Sequence, residues 1–327
     1  MVATDYREPE DITPGFNLIG DKKTPFLDNL PRGAAPEAGL YEWACEIDPA
    51  PVDEGWAYDG QEVQDSDFAH NAANRVTVQG RTGEQRHSIA TGQKTQGRAQ
   101  IGIPAGKAYD HELFIGMRVL KKKVEKALVG TQDSVAEVKG TTPSKPRGLD
   151  NFLRTANPSG SPDLPLNSKL FLPAAQKIVR ATALLVTLAD LKAAGRSIFD
   201  TLGLTDQTWT CYCSALMKDR VTDYMVTPVT GAYPTMTWEG EATDTMIQHV
   251  VMMVVTDWGT FEFKPHSFLD SGTHIIGVEA SGGVKLRPVR GVSHQPLPKG
   301  AGGPKGVIST EYGLEVHPLR HFKAVAA

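Results

Sequence analysis

Few residues in this chain have types and spacing that could do chemistry. Cys211 and Cys213 stand two apart. On a strand they would share a face and could form half of a zinc site. No second pair stands at zinc spacing and Cys45 is alone, so buried thiols acting as small hydrophobes are the better reading. His317 and His321 stand four apart, but Pro318 between them breaks the helix that would align them. Surface positions near the C-terminus are expected for both. KGAGGPKG at 299–306 carries glycines and two lysines that could cradle a phosphate, yet it lacks the GK[ST] ending and a following helix. Its composition predicts a flexible connection. HExxH, GxSxG and a paired-carboxylate arrangement are absent. Lys121, Lys122, Lys123 and Lys126 could touch phosphates weakly, although such a run is usually a solvated helix face. No catalytic residue, cofactor or metal ligand is expected, and the chain reads as a non-enzyme.

Composition narrows the class further. Lys and Arg number 34 against 38 Asp and Glu, a net charge of -4, which argues against a dedicated nucleic-acid binder with a basic excess. A 40% hydrophobic, 22% charged chain is not a disordered one. No stretch approaches the roughly 18 consecutive apolar residues of a membrane helix. Three cysteines are too few for a disulfide framework. The start, MVATDYREPEDITPG, has neither a basic beginning nor an apolar core, so no secretory signal is expected. A soluble, intracellular protein of mixed structure remains, with a length that suits about two domains.

The elements that would position these residues follow in a distinctive order. Residues 1–39 read as an arm: five prolines prevent a lasting helix, while Phe16, Leu18, Ile19, Phe26, Leu27 and Leu30 need a surface to lie on. Burying each such side chain is worth roughly 1.5–3 kcal/mol. The arm could lie on another surface or pack on its own domain. LYEWACEID at 40–48 alternates, with Tyr41, Trp43 and Cys45 on one face. Further short strands are predicted at 75–80 and 86–97, too thinly apolar to form a core of their own. The clearest helix spans 105–129, where Leu113, Met117, Leu120, Val124 and Leu128 recur on one face. Residues 131–180 read as loops. A second helix is expected at 188–202, with Thr187 and Asp190 resembling a capping box. Strands are expected in 208–217, on both sides of Asp257-Trp258-Gly259, at 274–280 and within 307–325. No internal repeat is present.

The sequence also carries local motifs, each weak alone but collinear over most of the chain. DKKTPFLDNLPRG at 21–33, YEW at 41–43 with DEG at 53–55, and KAYDHELFIGMRVLKKKVEKALVG at 107–130 come first. PRGLDNFL at 146–153, VTDWGTFEFKPHSFL at 255–269 and GVISTEYGLEVHPLRHFKAV at 306–325 follow. Together they resemble the SU10-like major capsid proteins of tailed bacteriophages. Residues 206–250 match that pattern poorly, and the excursion around 56–74 is long.

The resemblance implies an α+β, HK97-like capsid fold. Residues 1–39 would be the N-terminal arm and 40–104 the E-loop. Residues 105–180 would be the peripheral domain, including a spine helix at 105–129. The axial domain would span 181–296, and 297–327 would return a strand to the peripheral domain. The implied function is a structural protein that self-assembles into pentamers and hexamers of an icosahedral shell around double-stranded DNA. It would be located in the virion capsid and assembled in the host cytoplasm. Portal, scaffolding and decoration proteins are possible partners, and no membrane is involved. Phe16, Phe26, Leu27, Leu30, Tyr41, Trp43 and Trp56 are the expected contacts between copies. Replacing Phe26 with Asp would then block assembly without harming the fold of one copy. The four lysines form a weak DNA-facing cluster in this reading. The alternatives are an encapsulin-like compartment shell of the same fold and an unrelated soluble α/β enzyme.

Overall fold

The structure is a computed structural model. It describes residues 22–46, 59, 60, 62, 75–96, 103, 106–160, 163–226, 253–269, 272–300 and 302–327. Phe16, Trp56 and the stretch 227–252 therefore lie outside the described residues. The described helices are α1 (Pro25–Asn29), α2 (Gln93–Gln96), α3 (Ala108–Val129), α4 (Leu149–Phe152), α5 (Leu188–Leu202) and α6 (Ala215–Val226). The strands are β1 (Leu40–Glu46), β2 (Arg75–Arg81), β3 (Gly83–Ala90), β4 (Lys177–Val179), β5 (Gln207–Cys213) and β6 (Met253–Thr256), then β7 (Gly259–Pro265), β8 (Thr273–Glu279), β9 (Val284–Gly300), β10 (Gly303–Val316) and β11 (Phe322–Val325). No described helix is long and apolar enough to cross a membrane.

The chain forms two compact units. One takes residues 1–24, 84–124 and 290–311; the other takes 25–83, 125–289 and 312–327. The first holds most of a three-stranded sheet of order β3-β10-β9 and most of helix α3, which packs on it. Its core is small: Ile89, Leu120 and Ile308, with Tyr109 and Leu113 packed against them. Gly116 lets the helix approach closely, since a Cβ there would come within 2.8 Å of both Ile89 and Ile308. Leu120, Val124 and Leu128 are buried as the periodicity predicts, but Met117 is 42% exposed.

The segment 296–306 is not the flexible connection expected from its composition. Its described residues form the end of β9, a turn at Gly302 and the start of β10. Gly303 supplies a positive φ of 104° at that turn. Strand β9 lies at an edge of its sheet, and an edge tolerates Pro296 and Pro298, which have no N–H to donate.

The second unit holds a six-stranded sheet of order β4-β11-β8-β5-β7-β6. Strands β11 and β4 run parallel, as do β5 and β7, and the other pairs are antiparallel. Strand β8 is buried at all seven positions, as expected of a strand covered on both faces. Its core joins Trp209, Phe261, Phe263 and Phe322 to Leu191, Ala194 and Ile198 of α5 and Met217 and Val221 of α6. The Trp209 and Phe261 rings stack at 5.1 Å. Gly277 of β8 leaves room for the Phe322 ring, which a Cβ would strike at 2.1 Å. The capping box of α5 is formed: Asp190 N donates to Thr187 Oγ1 and Thr187 N to Asp190 Oδ2. Gly203 ends the helix at φ 65°.

Two local expectations give way. Residues 307–325 hold two strands, β10 and β11, because the Pro318–Arg320 turn divides them. His321 is not at the surface. It is fully buried, and its Nδ1 accepts the Glu279 N–H at 3.1 Å. Burial pushes its pKa down to about 4.

Candidate assembly surfaces

The described part of the arm, from residue 22 on, is held inside its own chain. Helix α1 is five residues long and directs two amides at one carboxylate: Phe26 N donates to Glu125 Oε1 at 2.9 Å and Leu27 N to Glu125 Oε2 at 2.7 Å. His266 Nε2 lies 2.7 Å from the same Oε1, and both side chains are fully buried. Leaving buried hydrogen-bonding groups such as these without a partner costs about 1–3 kcal/mol each. The Phe26 ring packs edge-on to Tyr212 at 5.2 Å. Past α1, Leu286 N donates to Pro31 O and Gly33 N to Leu286 O, so the arm adds a short bridge to β9.

Strands β1 and β2 form an antiparallel ribbon, from Leu40 opposite Arg81 to Glu46 opposite Arg75. One face is spent within the chain. Trp43 Nε1 donates to Val316 O at 3.2 Å and Tyr41 hydroxyl to Leu314 O at 2.9 Å. Trp43, Cys45, Val76 and Val78 are buried beneath it.

These positions bear on the expected contacts between copies. Phe26 is 1% exposed and Trp43 8% exposed in a single copy. Neither side chain has surface left for a neighbour, so Phe26→Asp would damage the fold itself. Leu27, Leu30 and Tyr41 are half-buried. Phe16 and Trp56 lie outside the described residues. On α3, Lys121, Lys123 and Lys126 are exposed and Lys122 is half-buried. Lys123 Nζ is partly engaged, donating to Arg86 O at 3.2 Å.

The apolar surface that is free lies elsewhere. Phe114 and Met117 of α3 are 49% and 42% exposed. On β6, at an edge of the six-stranded sheet, Met253 and Val255 point outward while Val254 is buried. Leu184, Leu185 and Leu216 are exposed on the 183–185 turn and the start of α6. Val292 and Leu297 are exposed on β9. No sequence pattern singled out these positions as exposed, and α3 periodicity placed Met117 on the buried face.

A model of the SU10 major capsid protein family matches residues 2–326. The chain belongs to that family. No curated protein matches the chain. Among solved structures, the capsid of a native GTA particle is similar over 98% of this chain and 95% of its own, at 11% identity and a TM-score of 0.59. The capsid of cyanophage P-SCSP1u is similar over 96% and 91%, at 10% identity and a TM-score of 0.56. The SrpI encapsulin complex of Synechococcus elongatus PCC 7942 is similar over 99% and 91%, at 11% identity and a TM-score of 0.52. The fold is the HK97 type. This capsid protein is thus the major subunit of a shell built from copies of itself and located in the virion. Its family is a structural one.

Proposed function

We propose that this capsid protein closes into pentamers and hexamers of an icosahedral shell around the double-stranded DNA of a tailed phage. Assembly would take place in the host cytoplasm, with portal, scaffolding or decoration proteins as partners. The observation that carries this reading is the family match over nearly the whole chain. Residues 1–39 act as the arm and 40–104 as the E-loop. Residues 105–180 with 297–327 act as the peripheral domain, and 181–296 as the axial domain with β4 and β11 added to its sheet.

The contacts between copies are Leu27, Leu30, Tyr41, Phe16 and Trp56, joined by the exposed apolar side chains Phe114, Met117, Met253 and Val255. Exposed apolar side chains of this kind are what an assembling subunit must cover, and ring closure uses heterologous contacts. Lys121, Lys122, Lys123 and Lys126 give a weak, sequence-independent attraction to DNA phosphates. The net charge of -4 keeps the whole chain from gripping its contents.

The test is sedimentation velocity of the purified protein, with negative-stain imaging of the fast fraction. Shells or free five- and six-membered rings are expected, with DNA inside particles recovered from infected cells. Particles filled with protein and free of DNA would favour a compartment shell, whose fold is the same. A clean monomer or dimer of 35.4 kDa chains, with or without a co-expressed scaffold, would overturn the proposal.

A further inference from the structure

One group of side chains has a geometry that shell building does not use. Cys45 leaves β1 on its buried face, and its Sγ stands 3.1 Å from Nδ1 of His317. The other ring nitrogen, Nε2, faces Oε1 of Glu315 at 3.6 Å. The Glu315 side chain is 5% exposed and is paired with Arg287 and Lys285. Thiol, imidazole and carboxylate therefore follow one another in line. Cys45 and His317 border a cavity of about 250 Å³ whose other walls include Leu170, Leu202, Leu319 and Arg320. The two remaining cysteines are different. Cys211 and Cys213 are fully buried, and their Sγ atoms point at the carbonyls of Trp209 and Lys264. Burial pushes both thiols up, Cys213 to about 12. Among the described residues, no cluster is placed to hold a metal ion.

We infer that Cys45, His317 and Glu315 form a nucleophilic thiol site that accepts small disulfides or soft electrophiles from this cavity. The arrangement is that of an activated nucleophile: a thiol beside a base, and the base oriented by a third group. His317 takes the thiol proton at Nδ1, and the Glu315 carboxylate stabilises the imidazolium. With a small disulfide, the thiolate attacks one sulfur, the reagent's S–S bond breaks and a mixed disulfide forms at Cys45. The other half leaves as a thiolate and takes the proton from His317. No further oxidant is needed, since the reagent disulfide is itself the oxidant. The hydrogen bond to Cys45, and then Glu315, raise the His317 pKa to about 9, so the imidazolium persists at neutral pH. The charged groups around it are Glu315 on β10, Glu46 on β1 and Arg75 paired with Glu46 from β2. Arg320 and His321 stand on the turn that follows, and Lys285 and Arg287 of β9 stand behind Glu315.

The experiment is iodoacetamide labelling of the folded, full-length protein from pH 5 to 9, with peptide mapping and free glutathione as the ordinary thiol. At pH 6.5 a thiol of ordinary pKa is only about 1% thiolate. With His317 as its base, Cys45 should react about tenfold faster than glutathione at pH 6.5, and its rate should climb less steeply with pH. Cys211 and Cys213 should stay unlabelled until urea is added. His317→Ala should return Cys45 to the steep, ordinary pH profile. If that variant does not fold, the profile of the unaltered protein decides alone. A Cys45 rate that rises tenfold per pH unit like glutathione, no label at Cys45 in the folded protein, or preferential labelling of Cys211 or Cys213 would each overturn the inference.

Discussion

The two compact units bury their apolar residues by different means. The six-stranded sheet surrounds itself: helices α5 and α6 and a run of aromatic rings close over it, and Trp209, Phe261 and Phe322 are all fully buried. The three-stranded sheet has one long helix and a core of three buried side chains. It leaves Phe114, Met117 and Val292 open to water. The first arrangement is sufficient for a folded body. The second leaves surface for a neighbouring copy to cover. On the proposed contacts between copies, this would divide the labour: one unit would keep its shape, and the other would gain part of its burial on assembly.

Three changes would break or sharpen this contrast. The largest effect is expected from Trp209→Ala. Removing a fully buried indole should cost about 3–5 kcal/mol, read as a fall in the urea midpoint of the unassembled chain, with little soluble protein. A variant that lost less than about 1 kcal/mol would show that the aromatic core is not what holds this unit.

The next effect comes from pH. His321 is fully buried with its folded pKa depressed to about 4 by burial, below an unfolded value of about 6.5. A depressed base favours the neutral form in the fold. Its stabilising contribution is therefore complete above about pH 6.5 and is lost as pH falls toward 4. Between pH 7 and pH 5 the loss should be about 2 kcal/mol, and His321→Gln should flatten that part of the stability profile. His317 acts with the opposite sign in a different window. Its folded pKa is raised to about 9, so its contribution is complete below about pH 6.5 and is lost as pH rises through 9. The two histidines can thus be separated by titrating urea midpoints across both windows.

The smallest stability effect is expected from Met117→Ser. An exposed side chain makes few contacts within its own chain, so the cost should stay within about 0.5 kcal/mol. Shell yield by sedimentation should nevertheless fall. Unchanged yield together with unchanged stability would remove Met117 from the contacts between copies.

Much of the fold was legible in the sequence because its signals were local. The helix at 188–202, its capping box and the turn at 257–258 all depend on residues a few positions apart, and they stand where periodicity and turn chemistry put them. Collinear motifs gave the family. What was not legible depended on partners far along the chain. Phe26 meets Glu125 and Tyr212, and Trp43 meets Val316; no pattern within the arm or the ribbon reveals either. The same holds for Cys45 and His317, 272 residues apart. Glycine and proline at 296–306 suggested a loose connection, because composition does not tell an edge strand from a loop. Met117 matched the apolar period of α3 yet faces out, since three strands cover only part of a helix's circumference.

The position of β11 in its sheet bears on the timing of synthesis. This strand, residues 322–325, lies between β4 and β8, yet it leaves the ribosome after the other five. Until it does, β4 and β8 each lack a partner and Gly277 faces an empty place where the Phe322 ring belongs. A chain stopped short of this strand cannot complete its most self-sufficient unit.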